Sequence, residues 1–364
     1  MALVVPNTQA EIAERQTAIN SQCRLFDTED LLAMFDKEVS DIDYRPYIKD
    51  QTLTLWPQQS SEIYSTANHV FKFPTSTPEA LAKEFVIGML LTQRQLPNFV
   101  RVYGFTRQFP KLPEVDNDDT ACLIMQCLNG PELGDFMQTH SFKEFHRVIL
   151  DFLDGYLRAH QELGFCHYDL HPSNVIVHEG RATMIDFEIS RIAFKDGSIG
   201  GYDGSHQVFD EGVYVDRANW LYDMFKFFGN LWDDTIPPCL AEDHQTRFQA
   251  RFSAYPEIIN FDLLQPGVLE QMITTVMATS QPFKEHICKI IRYYHQKLLF
   301  SKQAGQQCRH FLYHALSYFN PNISNQWLLA IQQNDFRWST YTTAAGETRT
   351  LESFVEHVKR YQSP

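Results

Sequence analysis

The first 87 residues of this 364-residue chain contain no glycine; all 16 glycines lie at Gly88 or beyond. Glycine lets a backbone enter left-handed conformations or approach a ligand without a Cβ in the way. The first quarter of the chain therefore has no glycine-rich loop to close over a phosphate. Long blocks of lysine or arginine are also missing, and 45 acidic residues face 31 basic ones, a net charge of −14. That average field repels a polyanion and excludes a nucleic-acid partner unless the folded surface is strongly asymmetric. No apolar run reaches the roughly 18 residues needed to span a bilayer. The opening MALVVPNTQAEIAERQ turns polar after five residues, too soon for a signal peptide. A cytoplasmic chain without a transmembrane segment is expected. The seven cysteines are odd in number and scattered, with no C-x-x-C pair, the usage of reduced core thiols rather than of disulfides or a zinc site. Internal repeats and low-complexity tracts are absent as well.

Apolar material is abundant: 44% of residues are hydrophobic and 13% aromatic, enough for a sizeable core and against global disorder. At roughly 150 residues per domain the length fits about two domains, or one large bilobal unit with appendages. Residues 1–45 read as helical, with Asp27 or Thr28 as a cap before Leu31, Leu32 and Phe35. Short β-like runs follow at 52–56, 62–66 and 69–73, with turn formers at 57–61 and 67–68. Thr77-Pro78-Glu79 then opens a helix to about Thr92 whose one face carries Leu81, Glu84, Phe85, Gly88 and Met89. Two more strands fit 100–106 and 121–126, flanking a solvated acidic loop at 116–119. After Asn129-Gly130-Pro131 the texture becomes helical: Ser141 and Glu144 have capping-box spacing, and an apolar stripe from Phe145 to Leu157 stops at Gly164.

Directly after that helix stands Cys166-His167-Tyr168-Asp169-Leu170-His171-Pro172-Ser173-Asn174, then a β-like stretch, then Met184-Ile185-Asp186-Phe187-Glu188. This text resembles the protein-kinase-like superfamily, whose catalytic loop reads H-R-D-x-x-x-x-N and whose metal motif reads D-F-G. Phosphoryl transfer requires a hard cation on the polyphosphate and a carboxylate to orient the attacking hydroxyl. The resemblance implies an α+β, bilobal fold with a small β-rich N-lobe and a larger helical C-lobe with extra helices. It makes Asp169 the base, puts His171 near the γ-phosphate, and gives Asn174 and Asp186 as Mg²⁺ ligands. Val70-Phe71-Lys72-Phe73 resembles the family's V-A-I-K, so Lys72 would hold the α/β-phosphates with Glu84 as its ion-pair partner. Leu123-Ile124-Met125-Gln126-Cys127-Leu128 looks like the strand into the hinge, where backbone groups of Gln126 and Leu128 would meet adenine. Asp223, alone in the apolar run 220–228, would anchor the catalytic loop.

Five departures shape the functional expectation. Tyr168 replaces the arginine that pairs with an activation-loop phosphate, Glu188 replaces the glycine of D-F-G, and no A-P-E follows before Trp220. His171 replaces a lysine, and the N-lobe turn at 57–61 offers serines but no glycine. Glu188 and the missing A-P-E are features similar to aminoglycoside and choline phosphotransferases. The division expected is 1–49 as an N-terminal helical extension, 50–128 as N-lobe, 129–300 as C-lobe and 301–364 as a C-terminal helical extension. The functional reading is an ATP- and Mg²⁺-dependent phosphotransferase, foremost an atypical serine/threonine protein kinase. A small-molecule or lipid-headgroup kinase and a pseudokinase scaffold stand as alternatives. The basic and histidine residues between Lys284 and Lys297 read as a solvated helix face, and His310 with His314, despite metal-ligand spacing, as surface or core residues.

Overall fold

The computed structural model describes residues 28–35, 54–55, 63–74, 78–107, 109, 121–195, 197–200, 220–235, 267–278, 305–319, 341–342 and 348–362, with scattered positions between 285 and 300. The turn at 57–61, the cap at Thr77 and the acidic run 116–119 lie outside them.

The smaller lobe begins with α1 (Thr28–Leu32), which runs on as a 3₁₀ turn (Ala33–Phe35). Strands β1 (Thr54–Leu55), β2 (Ile63–Ser65) and β3 (His69–Lys72), helix α2 (Pro78–Gln93), and strands β4 (Val102–Thr106) and β5 (Cys122–Gln126) follow. The five strands form one antiparallel sheet in the order β1-β2-β3-β5-β4, with Val70 opposite Met125 and Lys72 opposite Leu123. Helix α2 lies on this sheet through Leu81, Phe85, Val86 and Met89, all buried. Gly88 permits the close approach: a Cβ there would stand 2.4 Å from Val102 Cγ2. Phe35 meets Phe85 edge-on at 5.7 Å, so the 3₁₀ turn after α1 is held against α2. The strand expected from residue 100 starts two residues later. Val100 N–H donates instead to Met184 O, and Met184 N–H to Asn98 O, tying this segment to the larger lobe.

The larger lobe is mainly helical: α3 (Leu133–Thr139), α4 (Phe142–Leu163), α5 (Trp220–Thr235), α6 (Val268–Ala278), α7 (Gly305–Ser317) and α8 (Leu351–Lys359). Two hairpins, β6 (Val175–His178) with β7 (Arg181–Met184) and β8 (Arg191–Phe194) with β9 (Gly197–Gly200), are inserted between α4 and α5. A short pair, β10 (Tyr341–Thr342) and β11 (Thr348–Arg349), precedes α8. Helix α4 starts at a capping box, Ser141 with Glu144, and ends at Gly164 with φ +56°, a left-handed cap that favours glycine. Its stripe Phe145, Val148, Ile149, Phe152 and Tyr156 is fully buried, and Phe152 stacks on Phe227 of α5 at 4.6 Å.

The last two helices are built into this core. Phe354 of α8 packs against Phe228 and Phe319, Lys359 pairs with Asp154 at 2.8 Å, and Gln161 donates to Glu352. His314 and His357 stack at 4.1 Å, and each ring Nε2 faces the other residue's carbonyl oxygen at 2.8 and 2.7 Å. Both rings must donate there, so His314 fastens α7 to α8. Around residue 290, Cys288 and Ile291 are buried while Lys289 and Arg292 are exposed. The five described cysteines, Cys122, Cys127, Cys166, Cys288 and Cys308, are free and buried. No described helix is long and apolar enough to cross a membrane.

Gly200 ends β9 opposite Arg191, at the open end of the β8–β9 hairpin, with φ +71°, and a Cβ there would stand 2.0 Å from Ser190 O. Backbone cannot yield as a flexible side chain can, so Gly200→Ala is expected to cost roughly 2–4 kcal/mol. Thermal unfolding would read this as a midpoint about 5–10 °C lower.

Candidate active site

The loop after α4 is held from below by one buried carboxylate. Asp223 of α5, wholly inaccessible to solvent, accepts from the backbone N–H groups of His167 (2.6 Å) and Tyr168 (2.8 Å) and from the Tyr156 hydroxyl (2.6 Å). Burial pushes this carboxyl above the ordinary aspartate range, against the pull of His167 and those donors. His167 is buried and its Nε2 lies 2.9 Å from Ile185 O, joining the loop to the strand end that carries Asp186. Tyr168 and Asp186 both sit in the left-handed region, at φ +62° and +65°. Such conformations cost roughly 1–2 kcal/mol each in non-glycine residues, and they recur where a fold over-determines a functional loop.

A second network closes the cleft from above. Lys72 Nζ lies 2.7 Å from both Glu84 Oε2 and Asp186 Oδ1, and Glu84 Oε1 accepts from Phe187 N–H. Glu84 therefore ties β3 and α2 to the segment after β7. Burial works against the Lys72 ammonium, but the charges of Glu84 and Asp186 prevail and hold it above the ordinary lysine range. Burial pushes the Glu84 carboxyl up to about 7, with Asp186 acting in the same direction and Lys72 opposing. Asp186 stays below its usual range: burial acts upward and is outweighed by the Lys72 charge and hydrogen bond.

Between the networks lies a cavity of about 310 Å³ that all the sequence-expected site residues line: Lys72, Glu84, Gln126, Leu128, Asp169, His171, Asn174 and Asp186. Its inner part is apolar, formed by Val70, Val100, Met125, Ile176 and Ile185, a slot suited to a flat ring. At its rim the connecting segment offers only some of its backbone. Gln126 N–H donates to Arg101 O and Cys127 N–H to Asn68 O, whereas Leu128 N–H has no backbone partner among the described residues. The Gln126 N–H is thus committed elsewhere, and a base in the slot would find the Leu128 donor instead.

Two oxygen donors of the cavity stand ready for a divalent cation. Asn174 Nδ2 donates to Asp169 O, which leaves its amide oxygen as a free acceptor, and Asp186 keeps one carboxylate oxygen beyond Lys72. No group of three or more His, Cys, Asp or Glu gathers among the described residues. One carboxylate and one amide oxygen fit Mg²⁺, a hard ion that typically takes few protein ligands and fills its sphere with water and phosphate oxygens.

Residues 73–194 match the phosphotransferase enzyme family. That segment, which is similar to the protein-kinase-like superfamily, runs from the end of β3 through β8, so it contains every residue of the cavity except Ile63, Val70 and Lys72. A stretch of 145 residues is also 26% identical to the "Probable kinase 098L" of Invertebrate iridescent virus 3. It takes in 34% of this chain and 26% of the viral protein, so the match spans about a quarter of that relative's length.

Within the phosphotransferase segment Asp169 is engaged on both oxygens. Lys226 Nζ is 3.2 Å from Oδ1 and His171 Nε2 is 3.6 Å from Oδ2. Burial raises this carboxyl, yet the neighbouring His171 ring and the charges of Lys226 and His167 hold it well below the usual range. Lys226 was not singled out from the sequence. Its signal is a lone cation between Phe225 and Phe227, three residues beyond Asp223 and hence on the same side of α5. Lys226→Met is expected to lower turnover about tenfold, near 1.4 kcal/mol, the lower part of the range for a hydrogen bond to a charged group. The unfolding midpoint should barely move, because the lysine is partly exposed; steady-state kinetics with Lys226→Arg as the rescue checks this.

Proposed function

We propose that the protein is an ATP- and Mg²⁺-dependent kinase that transfers the γ-phosphate to an alcohol. The observation that carries this reading is the chain Glu84–Lys72–Asp186 standing across one cavity from Asp169 and Asn174. Lys72 holds the α- and β-phosphates, and Glu84 keeps its ammonium in place. Asn174 and Asp186 hold Mg²⁺, which when bound neutralises charge on the polyphosphate. Asp169 orients the acceptor hydroxyl and takes its proton as the oxygen–phosphorus bond forms and the bond to the bridging oxygen of ADP breaks. Asn174 braces the Asp169 carbonyl, and His171 donates toward the transferred group. Leu128 N–H and the Gln126 carbonyl border the adenine slot.

For the acceptor, the reading is a protein serine or threonine, as in an atypical serine/threonine protein kinase. Two features support it: the Asp169 side chain is 39% exposed rather than enclosed, and the Lys226 ammonium beside it disfavours a cationic amino-sugar or choline. A small-molecule alcohol is the second reading, favoured by the match to phosphotransferase enzymes. Incubation with γ-labelled ATP, Mg²⁺, generic protein substrates and a panel of metabolite alcohols tests both. Label on protein that disappears in Asp186→Asn supports the first. Label confined to metabolites replaces it by the second, and no label on either removes the kinase reading.

A further inference from the structure

A second cavity, of about 980 Å³, shares Gln126 and Leu128 with the nucleotide cleft, so the connecting segment is a common wall between the two. Its other walls come from both lobes, and the backbone bonds of Val100 and Met184 bring them side by side. In extended chain, residues two apart point to one face. Arg101, just before β4, with Tyr103 in it, and Arg181 with Thr183 from β7 accordingly line the cavity as two arginine-led pairs.

These guanidinium groups are poorly compensated. Arg101 is exposed and makes no side-chain hydrogen bond or ion pair among the described residues. Arg181 Nε lies 3.7 Å from Asp151 Oδ2, a contact between side chains 49% and 38% exposed, and Asp151 already accepts from Asn98. Exposed pairs of this length contribute little. His178 Nδ1 is 3.1 Å from Asn129 O, which makes Nδ1 the donor and leaves Nε2 4.0 Å from Glu179. Glu179, the one acidic residue in the described lining, has a side chain 85% exposed and points largely to solvent. Two arginines against one solvated glutamate make this a locally positive cavity in a chain of net charge −14.

We infer that this cavity binds a small organic anion bearing two or more acid groups. Guanidinium forks match carboxylate and phosphate oxygens two at a time. The part-exposed Tyr103 ring and the Thr183 hydroxyl supply an apolar face and a neutral polar contact for the ligand's body. The volume lies in the range of small-molecule sites, and concave walls from four chain segments suit a compact ligand better than an extended peptide.

Isothermal titration in Mg²⁺-free buffer with citrate, phosphoserine and pyrophosphate tests the site and separates carboxylate from phosphate preference. At least one probe is expected to bind the full-length protein at a single site, about tenfold or more weaker in Arg101→Gln/Arg181→Gln and unchanged in Lys72→Met. Arg101→Gln alone, which has no described partner to lose, covers the case in which the double variant fails to fold. Binding by none of the three probes overturns the inference, as does full affinity in the arginine variants. Loss in Lys72→Met instead overturns it by assigning the anion to the nucleotide cleft. Because ATP binding is not required for any arm, failure of the kinase reading leaves the result interpretable.

Discussion

Asp169→Asn is expected to lower turnover by about 10²–10⁴-fold while ATP affinity stays within about twofold. The asymmetry follows from what each part of Asp169 does. Its backbone carbonyl accepts from Asn174 Nδ2, and any side chain at 169 preserves that bond and the loop with it. Its carboxylate is the group held low by His171 and Lys226, and it makes no contact with Lys72, which pairs with Glu84 and Asp186. Asparagine keeps the shape but cannot accept a proton, so kcat falls and nucleotide binding does not. Turnover kept within about threefold, measured with the acceptor identified by labelled ATP, would remove Asp169 from the role of base.

The largest effect on stability is expected at Asp223. Asp223→Ala strands three buried donors at once: the Tyr156 hydroxyl and the His167 and Tyr168 N–H groups. An unsatisfied buried donor costs about 1–3 kcal/mol, so a loss of about 3–5 kcal/mol is expected after partial relaxation. That is a large share of the roughly 5–15 kcal/mol by which a domain is stable. Tyr156→Phe, which removes one donor and leaves two bonds intact, should cost only about 1 kcal/mol. Denaturant unfolding of the two variants side by side checks the ordering. Equal losses would mean that Asp223 acts through packing and not as a hydrogen-bond hub. The left-handed Tyr168 links this anchor to activity, since its strained φ is held by the same carboxylate that would be gone.

Much of this arrangement was legible because it is local. The Ser141–Glu144 capping box, the stripe on α4 and its stop at Gly164 are set by spacing along one helix, and the structure carries each of them. The run from His167 to Asp186 was readable for a related reason: a hairpin of fixed length, β6–β7, returns the chain to the loop it left. Strand ends were less legible. Val100 belongs by pattern to β4 but bonds to Met184, a residue 84 positions on, and no local pattern encodes that choice. Lys226 escaped notice because a single lysine in an apolar helix gains meaning only from what lies opposite it.

Residue types and spacing alone determined which side chains are able to do phosphoryl-transfer chemistry, since carboxylates, an amide and a lysine are the groups that chemistry needs. The absence of glycine before Gly88 likewise follows from composition alone. Tertiary structure decided the rest, because charge and burial are properties of a neighbourhood in space. It set Lys72 equidistant from two carboxylates and committed the Gln126 N–H to Arg101. It also turned Lys226 toward Asp169 and gathered Arg101 and Arg181 on the far wall of the segment that lines the cleft.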